Sequence, residues 1–282
     1  MSLVTTAERD AVAVSAPRAR GRRRPRRGGT TRTLLSQAFV WLLVAGTWET
    51  LCALHVFSED LLPSLHSVAK AAPDLLTQAR FWDAAAHTLQ SAAIAFAWSL
   101  AIGIPLGLFL GRNSFAERST QFVLDFFRAF PPVAVMPLLI LIFGVTLKMK
   151  VIVVVLAAVW PVLTQATYGA KSLDEAVVDT VRAYRIPAWL NFVKVVLPSA
   201  TPFIVTGVRL AATTSVLVSV AMEIIASTPG LGRLIGTLQF DRQTPMAYVC
   251  IFAAGALGYA INWLVKRFED KVLAWRPIDT GE

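Results

Sequence analysis

The stretch "VDTVRAYRIPAWLNFVKVVLP", Val178 to Pro198, places charge, a mid-run proline and regularly spaced large apolar residues between two segments apolar enough to cross a bilayer. Leu173, Val177, Val181 and Tyr184, followed by Trp189, Phe192, Val193 and Val196, recur at helical spacing. Ile186-Pro187 separates the two runs, and proline disfavours helical geometry in the residue before it, so the pattern predicts two short helices joined by a turn. The connection that holds them, about 169–199, is far longer than an ordinary joint between packed helices, which marks it as functional or disordered, and its helical periodicity argues against disorder. On pattern alone two fates are open for its apolar face. It packs against its own membrane domain or the headgroups, with Arg182, Arg185 and Lys194 in the interface, or it docks on another protein.

Outward from this hairpin the composition is that of an integral membrane protein: 55% of the 282 residues are hydrophobic, mean hydropathy is +0.58 and 16% are charged, against roughly 25% charged in soluble domains. A spanning helix needs about 20 mostly apolar residues. Stretches at 34–54, 84–111, 120–144, 150–168, 200–226 and 246–265 qualify, so the expected fold is all-α with six transmembrane helices. Six spans put both termini on one side. With the ends inside, Arg112, Arg118, Lys171, Arg182, Arg185, Lys194, Lys266, Arg267, Lys271 and Arg276 fall on inner loops. Only Lys70, Arg80, Lys148, Lys150, Arg233 and Arg242 fall outside. That bias predicts cytoplasmic termini and a multi-pass protein of the cell membrane.

The net charge of +9 sits mainly in a tail where Arg18, Arg20, Arg22, Arg23, Arg24, Arg26 and Arg27 crowd among Gly, Pro and Thr. Residues 1–33 read as a disordered cytoplasmic tail touching anionic lipids at most, not nucleic acid; 34–276 read as the transmembrane domain and 277–282 as a short C-terminal tail. A signal peptide is the alternative for the basic start, but the first apolar run continues past Glu49 to Leu54 at spanning length. The outer loop after it contains "SVAKAAPDLL", a short surface helix. Cys52 and Cys250 lie in apolar segments without partners at motif spacing and are expected as free thiols.

The chain has no GxxxxGK[ST] loop, so a partner must hold any ATP and Mg it uses; HExxH and GxSxG are also absent, and no catalytic residue, metal site or cofactor is expected within it. Gly103, Gly107 and Gly111 form a small-residue stripe suited to close helix packing. Pro105, Pro131, Pro132, Pro137 and Pro161 predict bent spans. Asp125 and Arg128, three residues apart, are placed to pair. Arg209 and Glu223 are costly inside a bilayer and must face protein or water. One reading makes their side of the helix, with Thr213 and Ser219, a translocation path to which Arg128 also contributes; the other makes them structural partners for groups on other helices.

The hairpin resembles the coupling segment of permease subunits of binding-protein-dependent ABC importers, whose pattern is EAA, three residues, Gly, nine residues, Ile, any residue, Leu-Pro. Here Asp179, Thr180 and Val181 fall at EAA, Arg185 at the glycine, Val195 at the isoleucine and Leu197-Pro198 at the end. The segments "LLPSLHSVAKA", "GIPLGLFLGR", "FRAFPPVAVMPLLILIFG", "VVLPSATPFIVTGVRLA" and "VAMEIIAS…GLG" are similar, in order, to the nitrate, sulfonate, taurine and bicarbonate branch of that family, over roughly 61–265. The resemblance implies a type I importer permease fold with a cytoplasmic coupling helix. It also implies a second permease subunit, cytoplasmic ABC ATPases and an external solute-binding protein. The implied docking surface runs through Asp179, Thr180, Val181, Ala183, Tyr184, Arg185, Ile186 and Pro187, with Tyr184 and Ile186 as apolar anchors. The implied solute is small and either anionic or otherwise organic. An ion-gradient transporter and a membrane scaffold are the alternatives.

Overall fold

The computed structural model describes residues 29–274, with side chains from Leu35 onward. Most of the predicted basic tail, and residues 275–282, lie outside that range. Every element among the described residues is helical. The chain divides into two compact units at the Thr47–Trp48 bond, and the first helix, α1 (Gly29–Ala53), straddles it. The second unit contains α2 (Leu65–Leu76), α3 (Ala79–Arg112), α4 (Ser114–Ala129), α5 (Met136–Phe143), α6 (Leu147–Lys171), α7 (Glu175–Ala183), α8 (Ala188–Asn191), α9 (Leu197–Ala226), α10 (Leu231–Phe240) and α11 (Thr244–Val272).

Local signals start these helices where the sequence provides an acceptor for free N–H groups. The side chains of Ser64, Asn113, Thr146 and Asp174 each accept a backbone N–H at the first turn of α2, α4, α6 and α7. Glu49 adds a second acceptor for α2, taking the Leu65 N–H at 2.8 Å. The surface helix expected from "SVAKAAPDLL" is α2.

Among the described residues, four helical runs are long and apolar enough to cross a membrane: α3, α6, α11 and Ala188–Phe240. A fifth is reached only if α4 and Pro132–Phe143, bent by 82°, count as one span. The expected count of six is therefore not reproduced among the described residues. The first predicted span, 34–54, is helical to Ala53 as α1 and begins at the edge of the described side chains. The third is broken at Pro131-Pro132, where the missing N–H and the restricted residue before each proline stop the helix.

The centre of this unit is α6, held between α3 and α9. Gly103, Gly107 and Gly111 lie directly against it: a methyl group at Gly107 would stand 2.5 Å from the Leu163 carbonyl oxygen, and one at Gly111 2.6 Å from Ala170 Cβ. On the other side Gly169 meets Ala200, with the same kind of approach at 3.0 Å. In lipid, where apolar burial gives little drive between helices, this closeness is the source of dispersion contact. Ala158, Val162 and Ala211 fill the centre of the three-helix contact. Leu108, Ala166, Ala170, Val196 and Ala200 fill the end nearest α7.

The predicted hairpin is revised in one respect. Its first helix is α7, but its second does not end before the next span. α8 runs through a wider turn at Phe192–Val196 straight into α9, with the Leu197 N–H reaching back to the Phe192 carbonyl. Pro198 has no N–H for the Lys194 carbonyl, and a π-type turn is a common accommodation of such a gap.

Candidate functional site

At the turn after α7, Tyr184 ends the helix and Arg185 takes a left-handed backbone with φ of 49°. The Ile186 N–H bonds the Val181 carbonyl and the Arg185 N–H bonds the Arg182 carbonyl, both at 3.1 Å. This pair of bonds is the Schellman closure, which normally places glycine where Arg185 stands. The arginine thus keeps the glycine conformation at a cost of roughly 1–2 kcal/mol for a side chain in that region, and Pro187 follows where the helix can no longer continue. The turn is set by the closure at Arg185, with Pro187 as the stop.

Asp179, Thr180, Ala183, Tyr184, Arg185 and Pro187 are exposed, and Tyr184 is 79% accessible. Val181 and Ile186 are half-buried. Thr180 Oγ donates to the Ala176 carbonyl at 2.7 Å and Arg182 reaches Asp179 at 3.4 Å, so the polar residues serve the helix itself. The opposite face, Val177, Val178 and Val181, turns toward the ends of α3 and α6. α7 thus carries an exposed face and a face turned toward its own membrane domain. Leu197 and Pro198 lie at the α9 junction, the first exposed and the second half-buried.

Arg128 pairs with Asp125 at 3.1 Å. It also lines two cavities along α6, one of 220 Å³ with Gln121, Trp160 and Thr164, the other of 440 Å³ with Phe130, Thr164 and Gln165. Phe127 stacks parallel to Trp160, with ring centres 6.4 Å apart, fixing the wall beside the guanidinium. Trp160, Thr164 and Gln165 carry no charge, so no sequence motif singled them out.

The single polar side drawn from Arg209 to Glu223 divides in two. Arg209 faces α11, bonding Glu269 at 3.3 Å, and with Thr213 it borders a cavity of 580 Å³ that also touches Tyr259 and Asn262. Ser219 and Glu223 are fully buried toward α3 and α6. Fourteen residues at about 100° each fall about 40° short of whole turns, enough to carry Glu223 over the edge into the packed side.

Glu223 is the hub of a closed network. Lys150 Nζ donates to Oε1 at 2.5 Å, while Thr88 Oγ1 and the Gly232 N–H donate to Oε2 at 2.9 and 2.8 Å. The Leu231 N–H in turn donates to Thr88 Oγ1 at 2.9 Å. Gly230, with φ of 151°, passes so close that a Cβ there would lie 2.0 Å from Glu223 Cδ. Lys150 was read as an outer-loop charge; it is 1% exposed in the first turn of α6. The sign that could have found it is a lysine within a helical apolar run whose only affordable partner is a buried carboxylate.

Among the described residues, no group of three or more His, Cys, Asp or Glu is placed to hold a metal, and Cys52 and Cys250 are free thiols.

Residues 103–274 match the family described as binding-protein-dependent transport system inner membrane component. The chain is 26% identical to the putative aliphatic sulfonates transport permease of Bacillus subtilis (strain 168), covering 83% of this chain and 85% of that one. It is 25% identical to the nitrate import permease of Leptolyngbya laminosa, covering 87% and 90%. With the taurine transport system permease of Escherichia coli (strain K12) it shares 24%, over 81% and 85%. Among solved structures it is similar in fold to a chain of the methionine ABC transporter MetNI in an inward-facing form, with a TM-score of 0.60, 20% identity and coverage of 68% of this chain and 95% of that one.

Proposed function

This chain belongs to the binding-protein-dependent transport system inner membrane components, the permease subunits of ABC importers, and from that premise we propose how its two candidate regions divide the work. The segment Asp179–Pro187 is the docking surface for a cytoplasmic ATPase, which binds the ATP and Mg. The observation that carries this is Tyr184, an aromatic side chain presented outward from a turn that the chain's own backbone bonds have already closed. A short helix seated in a groove is a recurring form of such contacts. Closure of the ATPases on ATP then moves α7, and through α8 and α9 the spans. Both termini lie on the cytoplasmic side, a second permease completes the path and an external binding protein delivers the solute.

The path runs along α4 and α6 past Arg128, with Arg209 and Thr213 on a second open side of α9. The solute is a small anion. Support comes from the nitrate, sulfonates and taurine named for the relatives; Arg128, paired with Asp125, is the cation that lines both cavities. Ser219 and Glu223 belong to the packed scaffold, outside the path.

The test is recovery of the complex in gentle detergent, with solute uptake and ATP hydrolysis measured after reconstitution. The native chain brings a P-loop ATPase; Tyr184→Asp with Ile186→Asp loses it, or keeps it with hydrolysis that no longer drives uptake. Coupling that survives both substitutions removes the docking assignment. Uptake that survives inactivation of the ATPase favours an ion-gradient transporter instead.

A further inference from the structure

Between the inner face of α7 and the ends of α3 and α6 lies a cavity of 350 Å³. That is far more than a single water needs, whose share of liquid volume is about 30 Å³. Arg112, Lys171 and Arg182 line it, and no carboxylate does. The three cations differ in what already occupies them. Lys171 is held by Glu117, whereas the Arg182–Asp179 contact is long and lies between side chains that are 77% and 75% exposed, a pair that water easily replaces. Arg112 rests on the Phe192 ring at 5.9 Å and, among the described residues, has no carboxylate within ion-pair distance.

Three cations with no carboxylate among the lining residues repel a metal ion or an ammonium group and favour an anion. Val177, Val178 and Val181 make the remaining wall apolar. A guanidinium without a carboxylate, a second one weakly held and an apolar wall together describe a site for a phosphate group.

We propose that this cavity binds a phosphate group, with Arg112 and Arg182 on its oxygens. Two sources supply that chemistry: an anionic phospholipid headgroup, entering from the bilayer surface, or a phosphate from solution. Either would wedge beneath α7 and fix its height against α3 and α6. The site does not depend on what docks on the outer face of α7.

The experiment uses the full chain with its copurifying subunits in nanodiscs of phosphatidylcholine, reading the midpoint of thermal unfolding as phosphatidylglycerol or inorganic phosphate is titrated in separate arms. The midpoint rises in one arm or both, and the responding arm identifies the source. Arg112→Gln weakens the half-saturating amount by about tenfold or more, the loss of one charge-assisted hydrogen bond, while Arg112→Lys restores most of it. No response in either arm, or an equal response from the native chain and Arg112→Gln, overturns the proposal.

Discussion

At its N-terminal end α9 receives the exposed segment Asp179–Pro187 through α8, whereas at its C-terminal end the chain turns back through Ser227–Gly230 around a carboxylate that touches no solvent. Both ends join a short helix to α9 by a turn with a residue in the left-handed region, Arg185 at one and Ser227 at the other. They differ in what holds them. The α10 end is tied by a buried charge, two backbone N–H groups and a hydroxyl. The α7 end is closed by its own backbone, and its outer side chains are exposed. The contrast separates a scaffold joint from a surface kept available.

Substitutions at the two ends give this contrast a scale. Lys150→Met strands a carboxylate in the interior, and breaking a buried pair from one side costs about 3–5 kcal/mol. The expected result is loss of folded protein from the membrane fraction, with partial recovery when Glu223→Gln is added. Gly230→Ala should follow, because the new Cβ meets Glu223 at a backbone angle that side chains rarely adopt; about 1–3 kcal/mol of strain would lower the thermal midpoint in detergent. A midpoint unchanged by either would mean that the α10 end is not the tight joint described.

The α7 end answers in the other direction. Arg185→Gly removes the left-handed penalty, and about 1 kcal/mol should appear as roughly fivefold slower hydrogen exchange in α7, with no change at α10. Tyr184→Asp should move stability least, within about 0.5 kcal/mol as for ordinary surface changes, and still abolish ATP-coupled uptake. A large fall in the midpoint on Tyr184→Asp would erase the distinction between the ends.

The parts legible in the sequence were those carried by local pattern. The stripe Gly103, Gly107, Gly111 announced close helix packing and lies against α6. The apolar repeat from Leu173 to Tyr184 announced α7, and Pro131-Pro132 announced a bend. What escaped was set by distance along the chain. Lys150 meets a carboxylate seventy-three positions away, and hydropathy alone assigns a lysine at the edge of an apolar run to the nearest loop. The division of Arg209 from Glu223 was lost in a rounding of helical turns. The continuity of α8 with α9 was hidden because Pro198, usually a sign of a start, sits beyond a widened turn that bridges it.

That bridged turn has a mechanical consequence. From Ala188 to Ala226 the backbone is helical without a break, a rod of roughly 60 Å at about 1.5 Å per residue. A rod that long magnifies small rotations: tipping its Pro187 end by about 5° displaces the far end by roughly 5 Å on the same geometry. The far end carries Glu223 and, through it, ties to α3, α6 and α10, so a tilt of the rod would be felt by all four helices.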